Sequence, residues 1–449
     1  MHGHFPLHPL GHPDYAALRV RCVARFIGEP QNSSLRSSDT LWLFFPINLC
    51  YSPTQTGTFS PCCSICLRRG TASCARLTHS NLSLRRHNKL QPSGFPTPEC
   101  LMSDAQHQIH RHLPEHAQLE QLLHQAARHL RVSTPLHVPV NGLSIPVRVI
   151  ELGSRSPQAP VIGFFGGVHG VERIGTQVLI SWLHSLVHRL DWDDQLREQL
   201  ERVRLLFMPM INPGGIWHHR RSNLSGVDLM RNAPVDAMGP VPWLVSGHRI
   251  SRRLPWYRGK LGAPMEPEAM AVVNTVQQRM QSSPFAMSVD CHSGFGRRDR
   301  LWCSYARSHK PIAHIAEVLR LKQLFEQTYP HHHPYIIEPQ SINYTTHGDL
   351  WDYLYDHSQE HKPDNLFLPF TLEMGSWLWV RKNPRQMLDY FGYFNPVISH
   401  RKRRVLRQHL PLFEFLTHAT RCWRSWTPTP QNRDQLTSDA IELWFVDKP

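Results

Sequence analysis

The sequence predicts an α/β fold built on a single mixed, mostly parallel sheet flanked by helices on both faces. Two observations carry this expectation. Short, continuously apolar runs (Val161–Phe165, Val203–Met208, Phe285–Asp290 and Leu366–Leu372) alternate with longer segments of helical periodicity. The residues with the most chemistry follow directly after those runs, at His169-Gly170-Val171-Glu172, Asn212-Pro213, His292 and Glu373. In open α/β sheets ligands bind beyond the carboxyl ends of the strands, so these positions converge on one place.

The elements can be taken in order. From Ser103, the residues Ile109, Leu113, Leu119, Leu122, Leu123, Ala126 and Leu130 suit helical segments, with Pro114 breaking or restarting the run. Val138–Val140 and Ile145–Leu152 read as a hairpin, because Asn141-Gly142 tolerates the two positive φ angles of a type I′ turn. Strand Val161–Phe165 is followed by an amphipathic helix through Ile174, Val178, Leu179, Trp182, Leu183 and Leu186. Strand Val203–Met208 runs into the turn Asn212-Pro213-Gly214-Gly215. A helix over Pro267–Met280 precedes strand Phe285–Asp290, and a helix over Ile312–Gln327 precedes strand Leu366–Leu372. Pro384–Phe415 is expected to be helical, with His400-Arg401-Lys402-Arg403-Arg404 as a solvated face, and Thr427–Arg433 to be a loose tail. The organisation expected is a helix and hairpin at 102–158, a catalytic domain at 159–420 and a tail at 421–449.

Residues 1–101 show neither periodicity. Prolines and serines interrupt every candidate element, as in Gln91-Pro92-Ser93-Gly94-Phe95-Pro96-Thr97-Pro98. This stretch is expected to be disordered, or to be spurious upstream sequence read from a mis-set start, since Met102-Ser103-Asp104 opens the first clean helical pattern. A zinc knuckle on Cys62, Cys63, Cys66 and Cys74 is the weaker reading, because the C-x2-C-x7-C spacing has no clear fourth ligand.

Composition excludes several classes. The net charge of +14 is spread thinly: residues 1–101 hold ten Lys/Arg against four Asp/Glu, and the remaining +8 is diluted over the rest of the chain. No DNA- or RNA-binding motif accompanies it, so nucleic acid is not an expected partner. No apolar stretch approaches the roughly 18–20 residues of a membrane span. Seven of the ten cysteines precede residue 102, whereas a secreted disulfide scaffold would place them in the folded body. With no secretory signal recognisable, the expected location is the cytoplasm. The oligomeric state is not legible.

His169 and Glu172 place an imidazole and a carboxylate three residues apart at the mouth of a strand, a ligand pair suited to zinc. The third ligand is His292, in Val289-Asp290-Cys291-His292-Ser293-Gly294. Two histidines and a glutamate leave the fourth tetrahedral position to water, which defines a catalytic zinc site. Asp290 points to the same side of the strand end as His292 and suits an outer acceptor or a brace for the turn. His331-His332-His333, between two prolines, reads as an exposed loop.

In order, H-x-x-E, N-P-G-G, a basic cluster with G-V-D-L-x-R-N, D-x-H-S and a late L-E resemble the zinc carboxypeptidase (M14 metallopeptidase) family over Val161–Trp379. The resemblance implies one Zn2+ per chain held by His169, Glu172 and His292. It implies Glu373 as general base and acid, Arg221 as the oxyanion-stabilising residue, and Arg231 with Asn232 as substrate-binding residues. It further implies Tyr344 as the tyrosine that closes over a substrate carboxylate, and the release of C-terminal residues from peptides as the activity. Met230 departs from the pattern, since family members commonly carry asparagine before the arginine and a thioether cannot donate to a carboxylate. The resemblance implies that the position tuning the substrate side chain falls near Trp351, flanked by Asp349 and Asp352, which suits either a shallow pocket or selection for a basic group. The Met230 departure keeps open an N-acyl amino acid amidohydrolase of the aspartoacylase or succinylglutamate desuccinylase type, with an acyl-amino-acid substrate, or an inactive binding protein on the same fold.

Overall fold

The computed structural model describes residues 103–331 and 334–446, so the expectations for 1–101, the zinc knuckle among them, and for His332 and His333 lie outside the described residues. Helix α1 (Asp104–His112) starts at a capping box in which Ser103 and Gln106 each bond the other's backbone. Helix α2 (Pro114–Gln125) restarts at Pro114, placed at the first helical position where a missing N–H is harmless. Strands β1 (Arg131–Val140) and β2 (Leu143–Gly153) form the expected hairpin, with φ of 48° at Asn141 and 81° at Gly142. There follow β3 (Val161–Gly166), α3 (Arg173–Arg189), α4 (Asp194–Leu200), β4 (Arg204–Met208), α5 (Pro213–Trp217), α6 (Pro267–Arg279) and β5 (Phe285–Ser293). Then come β6 (Asp299–Cys303), α7 (Ile315–Thr328), β7 (Tyr335–Pro339), α8 (Leu350–His361) and β8 (Leu366–Met374). The C-terminal elements are α9 (Trp377–Lys382), α10 (Ser399–Gln408), α11 (Leu410–Arg421), α12 (Trp423–Trp426) and α13 (Pro430–Trp444).

All eight strands form one sheet in the order β1-β2-β4-β3-β5-β8-β6-β7. The central four, β4, β3, β5 and β8, are mutually parallel, with antiparallel pairs at β1/β2, β2/β4 and β8/β6. Strands β3 and β5 are buried along their whole length, which is why they read as unbroken apolar runs. From β3 the chain passes through α3 to β4 on one side, and it later returns to β5 on the other. The strand connections therefore diverge at the carboxyl ends of β3 and β5, the place where such sheets open a crevice.

Several elements differ from the expectation, among them α4, α5 and α8, where no helix is expected. The short strands β6 and β7 extend the sheet beyond β8, and their five-residue lengths and mixed polarity leave little periodic signal. Between residues 384 and 398 the single expected helix gives way to 3-10 turns at Pro384–Leu388 and Tyr390–Tyr393, and Asn395-Pro396 precludes helical continuation. The tail expected at 421–449, its loose stretch Thr427–Arg433 included, carries α13 from Pro430 onward, which packs on α7 and pairs Arg433 with the buried carboxylate of Glu317. No helix among the described residues is long and apolar enough to cross a membrane.

Candidate metal centre

The site forms where β3, β5 and β8 end side by side. His169 and Glu172 lie in the turn between β3 and α3, His292 is the penultimate residue of β5, and Glu373 is the penultimate residue of β8. His292 and Glu373 are direct register partners on neighbouring parallel strands, so their side chains leave the same face about 5 Å apart. The Asn212-Pro213-Gly214-Gly215 turn braces His169. Its Asn212 amide donates to the Val168 carbonyl at 3.1 Å and its oxygen accepts from Gly215 at 2.7 Å. Gly170 must be glycine because a Cβ there would lie 1.9 Å from the Gly215 carbonyl carbon.

Three donors converge. His169 Nδ1 lies 2.9 Å from Glu172 Oε1, and His292 Nδ1 lies 3.1 Å from His169 Nδ1 and 3.0 Å from Glu172 Oε2. Ligand atoms around a tetrahedral zinc stand about 3.3 Å apart, so this triangle is close to the size the ion requires. Carboxylates flank both imidazoles on their outer side. His169 Nε2 faces Asp228 Oδ1 at 3.1 Å, and His292 Nε2 lies 2.8 Å from Asp290 Oδ2. With His169 Nε2–H directed at Asp228, its Nδ1 lone pair points at the common centre, and His292, ion-paired through Nε2 with Asp290, turns its Nδ1 to the same point. Two lone pairs and a carboxylate turned on one another repel unless a cation lies between them. Burial alone would raise the Glu172 carboxyl, but the two imidazoles hold it well below the usual range. Burial alone would lower His292, yet Asp290 and Glu172 push it well above an ordinary histidine. The cluster favours positive charge at its centre, and its donor set fits zinc.

Around the centre, the structure brings together most of the residues predicted from sequence. Arg221 donates to Asp228 Oδ2 at 2.8 Å and to Glu172 Oε1 at 3.2 Å, whereas Arg220 is exposed. Glu373 Oε2 is buried and has no hydrogen-bond partner among the described residues, and burial pushes the carboxyl up to about 8. Tyr344 packs against Phe295 and Trp302. Its phenol is pushed up by burial, and the charges of Arg231 and Glu373 both reach it. Arg231 is buried, with Nη1 3.8 Å from Asp349 Oδ2 and Nε unpartnered among the described residues.

Two expectations need correcting. Asn232 is not free to hold substrate: its Nδ2 donates to the Arg258 carbonyl at 3.0 Å and its Oδ1 accepts from Glu266 N–H at 2.6 Å. It ties the Arg231 segment to the loop before α6. Trp351 does not line a substrate pocket either. It is 1% exposed, and its indole N–H donates to Asp290 Oδ2 at 3.0 Å, so it supports His292 through Asp290. Met230 is buried in the hydrophobic core and leaves no polar group in the place of the family's asparagine.

Sequence reasoning missed two contributors. Asp228 lies within the quoted G-V-D-L string, and only the fold shows that it links His169 to Arg221. Asn395 carried no signal at all. Its Oδ1 accepts from Ile174 N–H at 3.0 Å, and its Nδ2 donates to Val171 C=O at 2.7 Å, bracketing Glu172. The neighbouring Phe394 carbonyl accepts from Ser293 Oγ at 2.8 Å, and Ser293 N–H donates to Glu172 Oε2 at 3.0 Å. The 391–395 segment thus clamps both ligand-bearing turns from outside. Asn395→Ala is expected to weaken zinc about 10-fold, the low end for removing an outer support of a ligand. Titration against a competing chelator checks this, and unchanged zinc affinity would show that the brace is dispensable.

The comparisons agree with this geometry. Carboxypeptidase SOL1 of Arabidopsis thaliana is 33% identical over 98 residues, which cover 21% of this chain and 20% of that protein. Human carboxypeptidase D is 24% identical over 142 residues, covering 32% of this chain and 9% of that protein. The chain therefore spans between about a tenth and a fifth of the length of these relatives. Among solved structures, thrombin-activatable fibrinolysis inhibitor shares the fold with a TM-score of 0.51 at 16% identity, over 68% of this chain and 72% of that one. The zinc carboxypeptidase family model matches residues 128–377, the span from β1 to the first residue of α9, and contains every ligand and Glu373. With more than half its length matched and the ligand triangle in place, the chain belongs to the zinc carboxypeptidase family.

Proposed function

We propose that the protein removes C-terminal residues from peptides by zinc-dependent hydrolysis, with Glu373 as general base and then general acid. The observation that carries this reading is the unpartnered Glu373 Oε2 beside the ligand triangle on the adjoining strand. Zinc, when bound, supplies a Lewis acid that polarises the scissile carbonyl and acidifies water toward neutrality. Glu373 Oε2 takes the proton of the attacking water and passes it to the departing amine. Arg221 holds positive charge beside Glu172, where the carbonyl oxygen becomes anionic. The free Nε–H of Arg231 meets the substrate's terminal carboxylate, and Tyr344 closes over it.

One observation favours a second reading. Asp349 stands against Arg231, and Met230 gives no donor, so the carboxylate anchor is weaker than the family pattern implies. That suits an amidohydrolase of small acyl-amino acids. Incubation of the zinc-loaded protein with mixed peptides and with N-acyl amino acids, followed by mass spectrometry, separates the readings. Peptides shortened one residue at a time from the C-terminus are expected. Hydrolysis of N-acyl amino acids alone selects the amidohydrolase, and no turnover with zinc fully bound leaves a binding protein.

A further inference from the structure

Past the carboxyl end of β8, between the loop after β5 and α10, lies a cleft of about 590 Å³ with an unbalanced charge. Arg297 and Arg298 reach it from the loop after β5, and Arg404 and Arg407 from α10. Arg404 and Arg407 are three residues apart and so share one face of their helix. All four are exposed, and none forms a side-chain salt bridge or hydrogen bond among the described residues, whereas Arg221, Arg231 and Arg300 are each paired with a carboxylate. The one acidic residue lining the cleft, Asp299, is turned inward, with its oxygens accepting from Gly375 N–H and the Gln408 amide.

The cleft reaches the segment that follows Glu373. Gly375 lines it and lies two residues beyond Glu373, within about 7 Å along the chain. A Cβ on Gly375 would meet the backbone of Arg297 and Arg298 at 2.7–2.8 Å, so the arginine loop is pressed directly onto the segment that carries the general base.

We propose that this cleft binds an acidic segment of the polypeptide being shortened, so that the protein prefers substrates rich in Asp and Glu on the amino-terminal side of the bond it cleaves. The identity of the bound segment rests on the peptidase reading above. Four guanidiniums distributed over two elements suit a string of carboxylates better than a single phosphate. Nucleic acid fits less well, since bases stack on exposed aromatic faces and Trp379, which lines the cleft, is only 7% exposed. A cleft of this size lies within the roughly 300–1,000 Å³ typical of ligand sites.

The test measures binding apart from turnover. Full-length, zinc-loaded Glu373→Gln protein is titrated with a fluorescent Glu-rich peptide, its Gln-rich counterpart, a single-stranded RNA and inorganic phosphate. The acidic peptide is expected to bind about 10-fold tighter than the neutral one, a preference that fades toward about 0.5 M salt. Arg404→Ala/Arg407→Ala removes two solvent-exposed side chains without touching the core, and is expected to abolish most of the preference while zinc stays bound. Equal binding of the two peptides, a preference unchanged in the double variant, or tighter binding of RNA or phosphate than of the acidic peptide would each overturn the proposal. Failure of the wild-type protein to shorten any peptide while the acidic preference persists would overturn the peptidase reading instead, leaving an acidic-peptide site.

Discussion

Replacing Glu373 with glutamine is expected to lower kcat/KM for a peptide by about 10²–10⁴-fold, the usual contribution of a positioned general base. Zinc content should not change, because Glu373 is not among the three converging donors. Glutamine keeps the size of the side chain and removes only the ability to carry a proton at Oε2. The pH dependence has a definite sign. A base must be ionised to act, and burial pushes the Glu373 carboxyl up to about 8, with His292 and Arg221 opposing the rise. Activity should therefore fall as pH drops through the acidity of this group, and a dication beside it moves that limb below pH 8. The residual activity of Glu373→Gln should lack the limb. A variant that keeps wild-type kcat, or an acid limb that survives it, would remove Glu373 from the role.

His292→Ala is expected to have the second large effect, loss of stoichiometric zinc with loss of activity. It leaves one imidazole and one carboxylate, short of the three protein ligands that hold a catalytic zinc. Metal analysis after dialysis measures this directly. Asp228→Ala should be milder and more diagnostic. It frees His169 Nε2 to become the acceptor, so the Nδ1 lone pair is no longer enforced, and zinc affinity should fall about 10–100-fold. It also leaves Arg221 with only Glu172 as its carboxylate partner, so the pull on that ligand increases. Zinc affinity equal to the wild type in Asp228→Ala would mean that the tautomer is set elsewhere.

Much of this was legible in the chain because buried parallel strands must be apolar along their whole length, and their carboxyl ends are where the sequence turns abruptly polar. That contrast marked β3, β5 and β8, and with them His169, Glu172, His292 and Glu373. The strands β6 and β7 escaped because five residues at a sheet's margin carry too little pattern to distinguish from loop. Helix α13 escaped because its burial is slight, with only Ala440 fully covered.

Sequence by itself determined the elements that local physics controls: the Asn141-Gly142 turn, the restart at Pro114, the apolar strands and the residue types able to bind a metal. It also put the ligands in an order that a known family uses. The tertiary structure alone decided which polar groups meet. Asp228 reaches His169 across 59 positions of chain, Trp351 reaches Asp290 across 61, and Asn395 brackets Glu172 from more than 220 residues away. Contacts of that range leave no periodicity, since each depends on two elements being placed by burial of apolar surface elsewhere. For the same reason Asn232 and Trp351, plausible substrate residues by position, were taken up by the scaffold: a buried amide or indole N–H must find a partner, and the nearest one was backbone or carboxylate.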